Sequence, residues 1–131
     1  MRKITLIICL FFALISGFSQ NRAGSLFYSE VERTETNYNI HIDIFEIGNI
    51  EYIEIELVDE QKVELVSEFA QLIQRNDKYF LSYKDEEKEV YLEDISISIK
   101  NEYNSIKYPQ INVKLMDKQL RVLDYSQKIF Y

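Results

Sequence analysis

The sequence predicts an α+β protein that is mostly β: a curled antiparallel sheet or partial barrel of six to seven strands packed on one helix, in the order β-β-β-α-β-β-β-β. Three observations carry that reading. Residues 59–76, DEQKVELVSEFAQLIQRN, are amphipathic at the helical period. Most of the remaining chain alternates apolar and polar residues over runs of strand length. Gly48-Asn49 separates two such runs and is a two-residue hairpin signal.

The helix organises the rest. At about 100° per residue, Leu72, Leu65, Phe69, Ile73, Val66, Ala70 and Val63 fill one half of its wheel. Gln74, Ser67, Gln71, Glu64, Arg75 and Glu68 fill the other half. Asp59 is placed to cap the start, Arg75 falls in the last turn, and Asn76 can take a left-handed stop.

Residues 1–19 read as an address. Arg2 and Lys3 make a basic start, residues 4–15 are apolar apart from Thr5, and Gly17 and Ser19 put small residues at the −3 and −1 positions before Gln20. That is the pattern of a secretory signal peptide. The apolar run is too short to cross a bilayer and no later run is longer, so no membrane span is expected after cleavage. Cys9 follows Ile8 and lies early in the run, which argues against lipidation. Residues 20–131 are then expected to be a single α+β domain of an exported protein, periplasmic or extracellular.

After a small, polar start at 20–25, residues 26–33 alternate weakly and suit an edge strand, and 34–37 are a polar break. A hairpin is expected to pair 38–47 with 50–58 around Gly48-Asn49. Ile44 would face Ile53, Ile42 would face Ile55 and Ile40 would face Leu57, an aliphatic row that a one-residue slip destroys. A second hairpin is expected to join 78–84 to 88–92 around Glu86-Glu87, pairing Tyr83 with Val90 and Leu81 with Leu92. The apolar phase then changes from even positions (Val90, Leu92) to odd ones (Ile95, Ile97, Ile99), which calls for a bulge or corner near Glu93-Asp94. A third hairpin joins 108–116 to 119–125, turning at Asp117-Lys118, with Leu115 opposite Leu120 and Val113 opposite Val122. Pro109 sits where that strand begins, and the apolar tail KIFY is expected to pack down.

These dimensions have a consequence. One helix about 10 Å wide cannot cover six strands spaced at about 4.8 Å. The sheet must curl, or its uncovered apolar area must bind something, including a second copy of the chain.

Charge and composition narrow the function. The chain carries 15 basic and 22 acidic side chains, a net charge of −7. Loss of Arg2 and Lys3 with the leader would leave −9. Such a surface repels nucleic acid and anionic lipid and attracts a cationic partner. The one cysteine is Cys9, so residues 20–131 hold no disulfide and no thiol nucleophile. Gly-x-Ser-x-Gly, His-Glu-x-x-His, phosphate-loop and dinucleotide fingerprints are absent, and the lone His41 has no serine beside it in sequence. A carboxylate pair such as Asp43 and Glu54 has the chemistry of a glycosidase, but alternating acids on a polar strand face are far commoner. No enzyme activity and no cofactor are expected.

Two surfaces stand out as candidates. The expected first hairpin gathers His41, Asp43, Glu54 and Glu56 on its outer face, where like charges would repel and a cation such as Ca²⁺ would relieve them. The plainer readings are a solvated strand face, or neutralisation by Lys114 and Arg121 from a neighbouring strand. The chain also holds ten tyrosines and no tryptophan. Tyrosine is a favoured strand residue and also a good contact residue. Phe45, Tyr52, Phe80 and Tyr91 form the expected outer-face binding surface. Together these features describe an exported, non-catalytic binding module of the cell envelope with a protein partner, cationic by charge. One alternative is an inhibitor or immunity-like protein against a cationic enzyme or toxin. The other is a structural subunit that self-associates, in its simplest form a homodimer.

Overall fold

The computed structural model of the chain describes residues 26–102 and 105–131. The leader expected at 1–19 lies outside the described residues. Among those residues every regular element is a strand: β1 Phe27–Arg33, β2 Asn37–Ile44, β3 Tyr52–Val58, β4 Glu64–Arg75, β5 Lys78–Tyr83, β6 Glu86–Val90, β7 Ile95–Lys100, β8 Gln110–Met116 and β9 Val122–Ile129. They form two antiparallel sheets. One has six strands in the order β9-β8-β3-β4-β5-β6 and the other three in the order β1-β2-β7. The fold is all-β, and neither sheet closes into a barrel.

Strict alternation builds the smaller sheet. Tyr38, Ile40, Ile42 and Ile44 of β2 and Ile95, Ile97 and Ile99 of β7 are buried, while their odd and even neighbours face outward. The larger sheet turns Ile53, Ile55 and Leu57 of β3 and Ile111, Val113 and Leu115 of β8 into the same core. Burying one such aliphatic side chain contributes about 1.5–3 kcal/mol, so this double layer is the main source of stability.

The predicted helix over 59–76 is not formed. Residues 64–75 are the longest strand, β4, paired with β3 on one side and β5 on the other. Its apolar residues occupy both faces of that strand. Val66, Ala70 and Leu72 share the inner face with β3's core residues, and Phe69 and Ile73 lie on the outer face. Two apolar faces out of step, plus a register shift opposite Leu57 and Val58, imitate a 3.6-residue period. The helix-end signals are loop chemistry instead. The Asp59 carboxylate accepts hydrogen bonds from the Gln61 and Val63 amides, each at 2.9 Å, inside the loop joining β3 to β4. Asn76 and Asp77, with φ of 51° and 65°, make the left-handed two-residue turn between β4 and β5.

The predicted hairpin at Gly48-Asn49 is also corrected. β2 and β3 belong to different sheets, so their aliphatic rows line one core from opposite sides instead of pairing along a ladder. Gly48, with φ of 46°, still turns the chain, and Ile50 donates to the Ile47 carbonyl at 2.9 Å, but the segment crosses between sheets. The other two hairpins exist with different registers. β5 and β6 turn at Lys84-Asp85, which pairs Leu81 with Lys88. β8 and β9 turn through 117–121, which pairs Leu115 with Asp124 and Val113 with Ser126. The phase change after Val90 is a tight corner, where Asp94 donates to the Tyr91 carbonyl at 2.9 Å.

The sheets meet along two seams. At the first, Ser29 of β1 and Ser126 of β9, both buried, share a hydrogen bond at 2.5 Å. The Leu26 amide donates to the Asp124 carboxylate at 2.8 Å beside them. At the second, β6 passes through the Tyr91–Asp94 corner into β7, yet the two strands share no ladder. That seam is open.

Candidate functional site at the open seam

Three strands at about 4.8 Å spacing cover only half the width of six. The smaller sheet is joined to β9 at the closed seam, so the inner face of β5 and β6 is left partly uncovered. A cleft of about 810 Å³ lies there, within the size range of small-ligand sites. Val31, half-buried, and the Tyr83 ring give it apolar surface, while Ile40, Ile97 and Leu81 at its base are already buried in the core. Its polar lining comes from the outer face of the small sheet, Glu30, Glu32 and His41, and from Glu86 and Lys88 of β6.

Tyr83 stands at this opening. By register it faces inward beside Ala70, where its hydroxyl donates a short hydrogen bond to Glu68 and lies 3.4 Å from the Ser98 carbonyl of β7. Burial first, and then the Glu68 carboxylate, push its phenol well above the ordinary value. The hydroxyl is therefore held protonated as a donor. Lys84 Nζ, 3.5 Å from Glu68, balances the carboxylate.

The expected cation site is divided by the fold. His41 and Asp43 lie on the outer face of the small sheet, and His41 Nε2 is 3.2 Å from Asp94 Oδ1. Glu54 and Glu56 lie on the outer face of the large sheet, where Glu64 joins them within 4.8 Å. Sequence reasoning did not find Glu64, because a helix would have pointed it elsewhere. Lys114 of β8 already faces this cluster, with Nζ 3.1 Å from Glu56 and 4.0 Å from Glu54. Ser67 donates to Glu54 at 2.7 Å and Asn112 to Glu56 at 3.3 Å. Burial pushes the Glu56 carboxyl up, but the hydrogen bonds from Lys114, Glu64 and Asn112 outweigh it and hold it below the ordinary value. Glu64, sharing a hydrogen bond with Glu56, is raised in turn. The arrangement is a carboxylate cluster whose charge one lysine offsets in part. Arg121, the other expected neutraliser, instead binds Asp117 at 2.8 Å.

The expected aromatic surface is likewise dispersed. Tyr52 and Phe80 share the outer face of the large sheet with β4 between them, and Arg75 sits 5.0 Å over the Phe80 ring. Phe45 and Tyr91 lie on connections between the sheets and are exposed. One juxtaposition was invisible in sequence. Ser96 of β7 lies directly across the ladder from His41, which pairs with Asp94. No hydrogen bond joins Ser96 to His41 among the described residues, and both His41 and Asp94 are well exposed to water. This is an exposed strand face and lacks the linked geometry of a nucleophile and base.

Among the described residues no helix is long and apolar enough to cross a membrane. No protein-family model, no curated protein and no solved structure matches the chain.

Proposed function

We propose that the chain is an exported, non-catalytic binding module of the cell envelope, and that its ligand seat is the cleft at the open seam. The observation that carries this reading is the mismatch of sheet widths, which leaves a cleft of about 810 Å³ open between the small sheet and β5–β6. A concave pocket of this size with a few polar groups is the common form of a small-ligand site. Each 100 Å² of apolar surface covered there is worth about 2.5 kcal/mol before ordering costs. The leader-like pattern of residues 1–19 supports export.

A neutral solvatochromic dye titrated into isotope-labelled protein tests the seat. The methyl resonances of Val31, Ile40, Leu81 and Ile97 are expected to shift together and saturate as one site. Absence of saturable shifts, or shifts centred on the outer face at Phe69 and Phe80, would overturn the reading.

A further inference from the structure

Two strand edges border the cleft without a ladder partner among the described residues. β6 ends the larger sheet and β7 ends the smaller one. The bonding phase of β7 follows from its continuation, where the Asn101 amide donates to the Thr36 carbonyl at 2.8 Å, in line with the Tyr38–Ile99 and Ile40–Ile97 pairs. Antiparallel pairing alternates, so Ile95, Ile97 and Ile99 bond to β2 while the main-chain groups of Ser96, Ser98 and Lys100 point away from it. On β6 the turn at Lys84-Asp85 makes Tyr83–Glu86 the closing pair. By the same alternation the main-chain groups of Glu87 and Glu89 face outward. Tyr83 at the end of β5, paired with Glu86 of β6, touches the Ser98 carbonyl on the β7 edge.

Free edges of this kind accept an added strand, and the surrounding side chains decide which strand. Glu30, Glu32 and Glu86 line the cleft against one ammonium, Lys88. Glu89 is exposed on the β6 edge, while Glu87 is already held by Arg75 at 2.7 and 2.8 Å. A second copy would bring its own acidic β6, EEKEV, to this rim and be repelled. We infer that the open seam takes an extended peptide segment carrying basic side chains, added as a strand to β7. Its main chain pairs with Ser96, Ser98 and Lys100, displacing the Tyr83 hydroxyl from the Ser98 carbonyl, and its basic side chains meet the acidic rim. This names the ligand class of the cleft and rests on the cleft being the seat.

The probes are short blocked peptides of alternating Lys and Val, and the same peptides with Glu replacing Lys. The Lys–Val peptide is expected to bind at least about tenfold more tightly than the Glu–Val peptide and to weaken as salt rises. The Ser96, Ser98 and Lys100 amides should gain hydrogen-exchange protection on binding. Ser98→Pro removes an outward donor that β2 does not use, a position where a strand tolerates proline. It should weaken the Lys–Val peptide about tenfold or more. Glu86→Lys should weaken the same peptide and improve the Glu–Val one. Equal binding of the two peptides, or binding without protection on β7, overturns the strand-addition inference. If the dye enters the cleft and no peptide binds, this inference fails alone; if neither binds, the seat itself is wrong.

Discussion

Lys114 is the side chain on which the outer face of the large sheet depends. It stands 3.1 Å from Glu56 and 4.0 Å from Glu54, two carboxylates almost closed to water. Replacing it with methionine would leave them facing one another and Glu64 with no cation between. A fully buried pair broken in this way costs several kcal/mol; because Lys114 keeps part of its surface in water, Lys114→Met is expected to cost about 1–2 kcal/mol at neutral pH. The pH dependence has a definite sign. In the native protein Glu56 is held below its ordinary value of 4.5, so its contribution is complete above that pH and is lost as pH falls through the lower native value. Without Lys114 the burial that pushes Glu56 up is less opposed, and protonation relieves the repulsion. The deficit of Lys114→Met against the native chain should therefore shrink as pH falls below about 4.5. Denaturant midpoints of the two proteins across that range provide the check. A deficit that grows on acidification would mean that Lys114 does not hold these carboxylates.

At the scale of elements, one loop design is used twice. Asp59 and Asp117 each open a five-residue connection and each accept from amides two and four residues on, Gln61 and Val63 in one case and Gln119 and Arg121 in the other. The fourth residue of each loop is left-handed, Lys62 with φ of 67° and Leu120 with φ of 65°. A side chain in that conformation costs about 1 kcal/mol relative to glycine. Lys62 also bonds Gln110 at 2.6 Å, whereas Leu120 is half exposed, so Leu120 gives the cleaner test. Leu120→Gly is expected to raise stability by about 0.5–1 kcal/mol, read as a higher denaturant midpoint with an unchanged slope. A lower midpoint would show that Leu120 contributes packing that outweighs the strain. These loops also explain what could be read from the sequence. Alternation in β2, β7 and β8 was plain, and so was the corner after Val90, since buried positions there follow parity. Turn positions were hidden, because Asn76, Asp77, Lys84 and Asp85 take left-handed φ without glycine, while Gly48-Asn49 marks a crossover. The helix signal at Asp59 arises because an aspartate that turns a loop and one that caps a helix both accept from main-chain amides a few residues on.

At the scale of the molecule, the cleft was legible only as a mismatch of widths. Six strands need a wider cover than the single predicted helix; the cover is a three-stranded sheet, and it is still too narrow. The lining could not be foreseen, since Val31, Ile40, Leu81, Glu86 and Ile97 come from five different strands in two sheets. Pairing between distant strands leaves no local signal. The same mismatch bears on self-association. The outer face of the large sheet carries exposed Glu64, partly exposed Lys114 and the Arg75–Glu87 pair near one edge, charges that are costly to desolvate against a copy of itself. The open seam is rimmed by acids, and two such rims repel at low ionic strength. The chain is therefore expected to be monomeric by light scattering at low and at high salt, with the seam left free for a partner of opposite charge. A dimer at low salt would mean that the charged faces have found complementary registers in a second copy. In that case the self-associating subunit would displace the binding module, and the dye site on Val31 and Ile97 should disappear as the dimer forms.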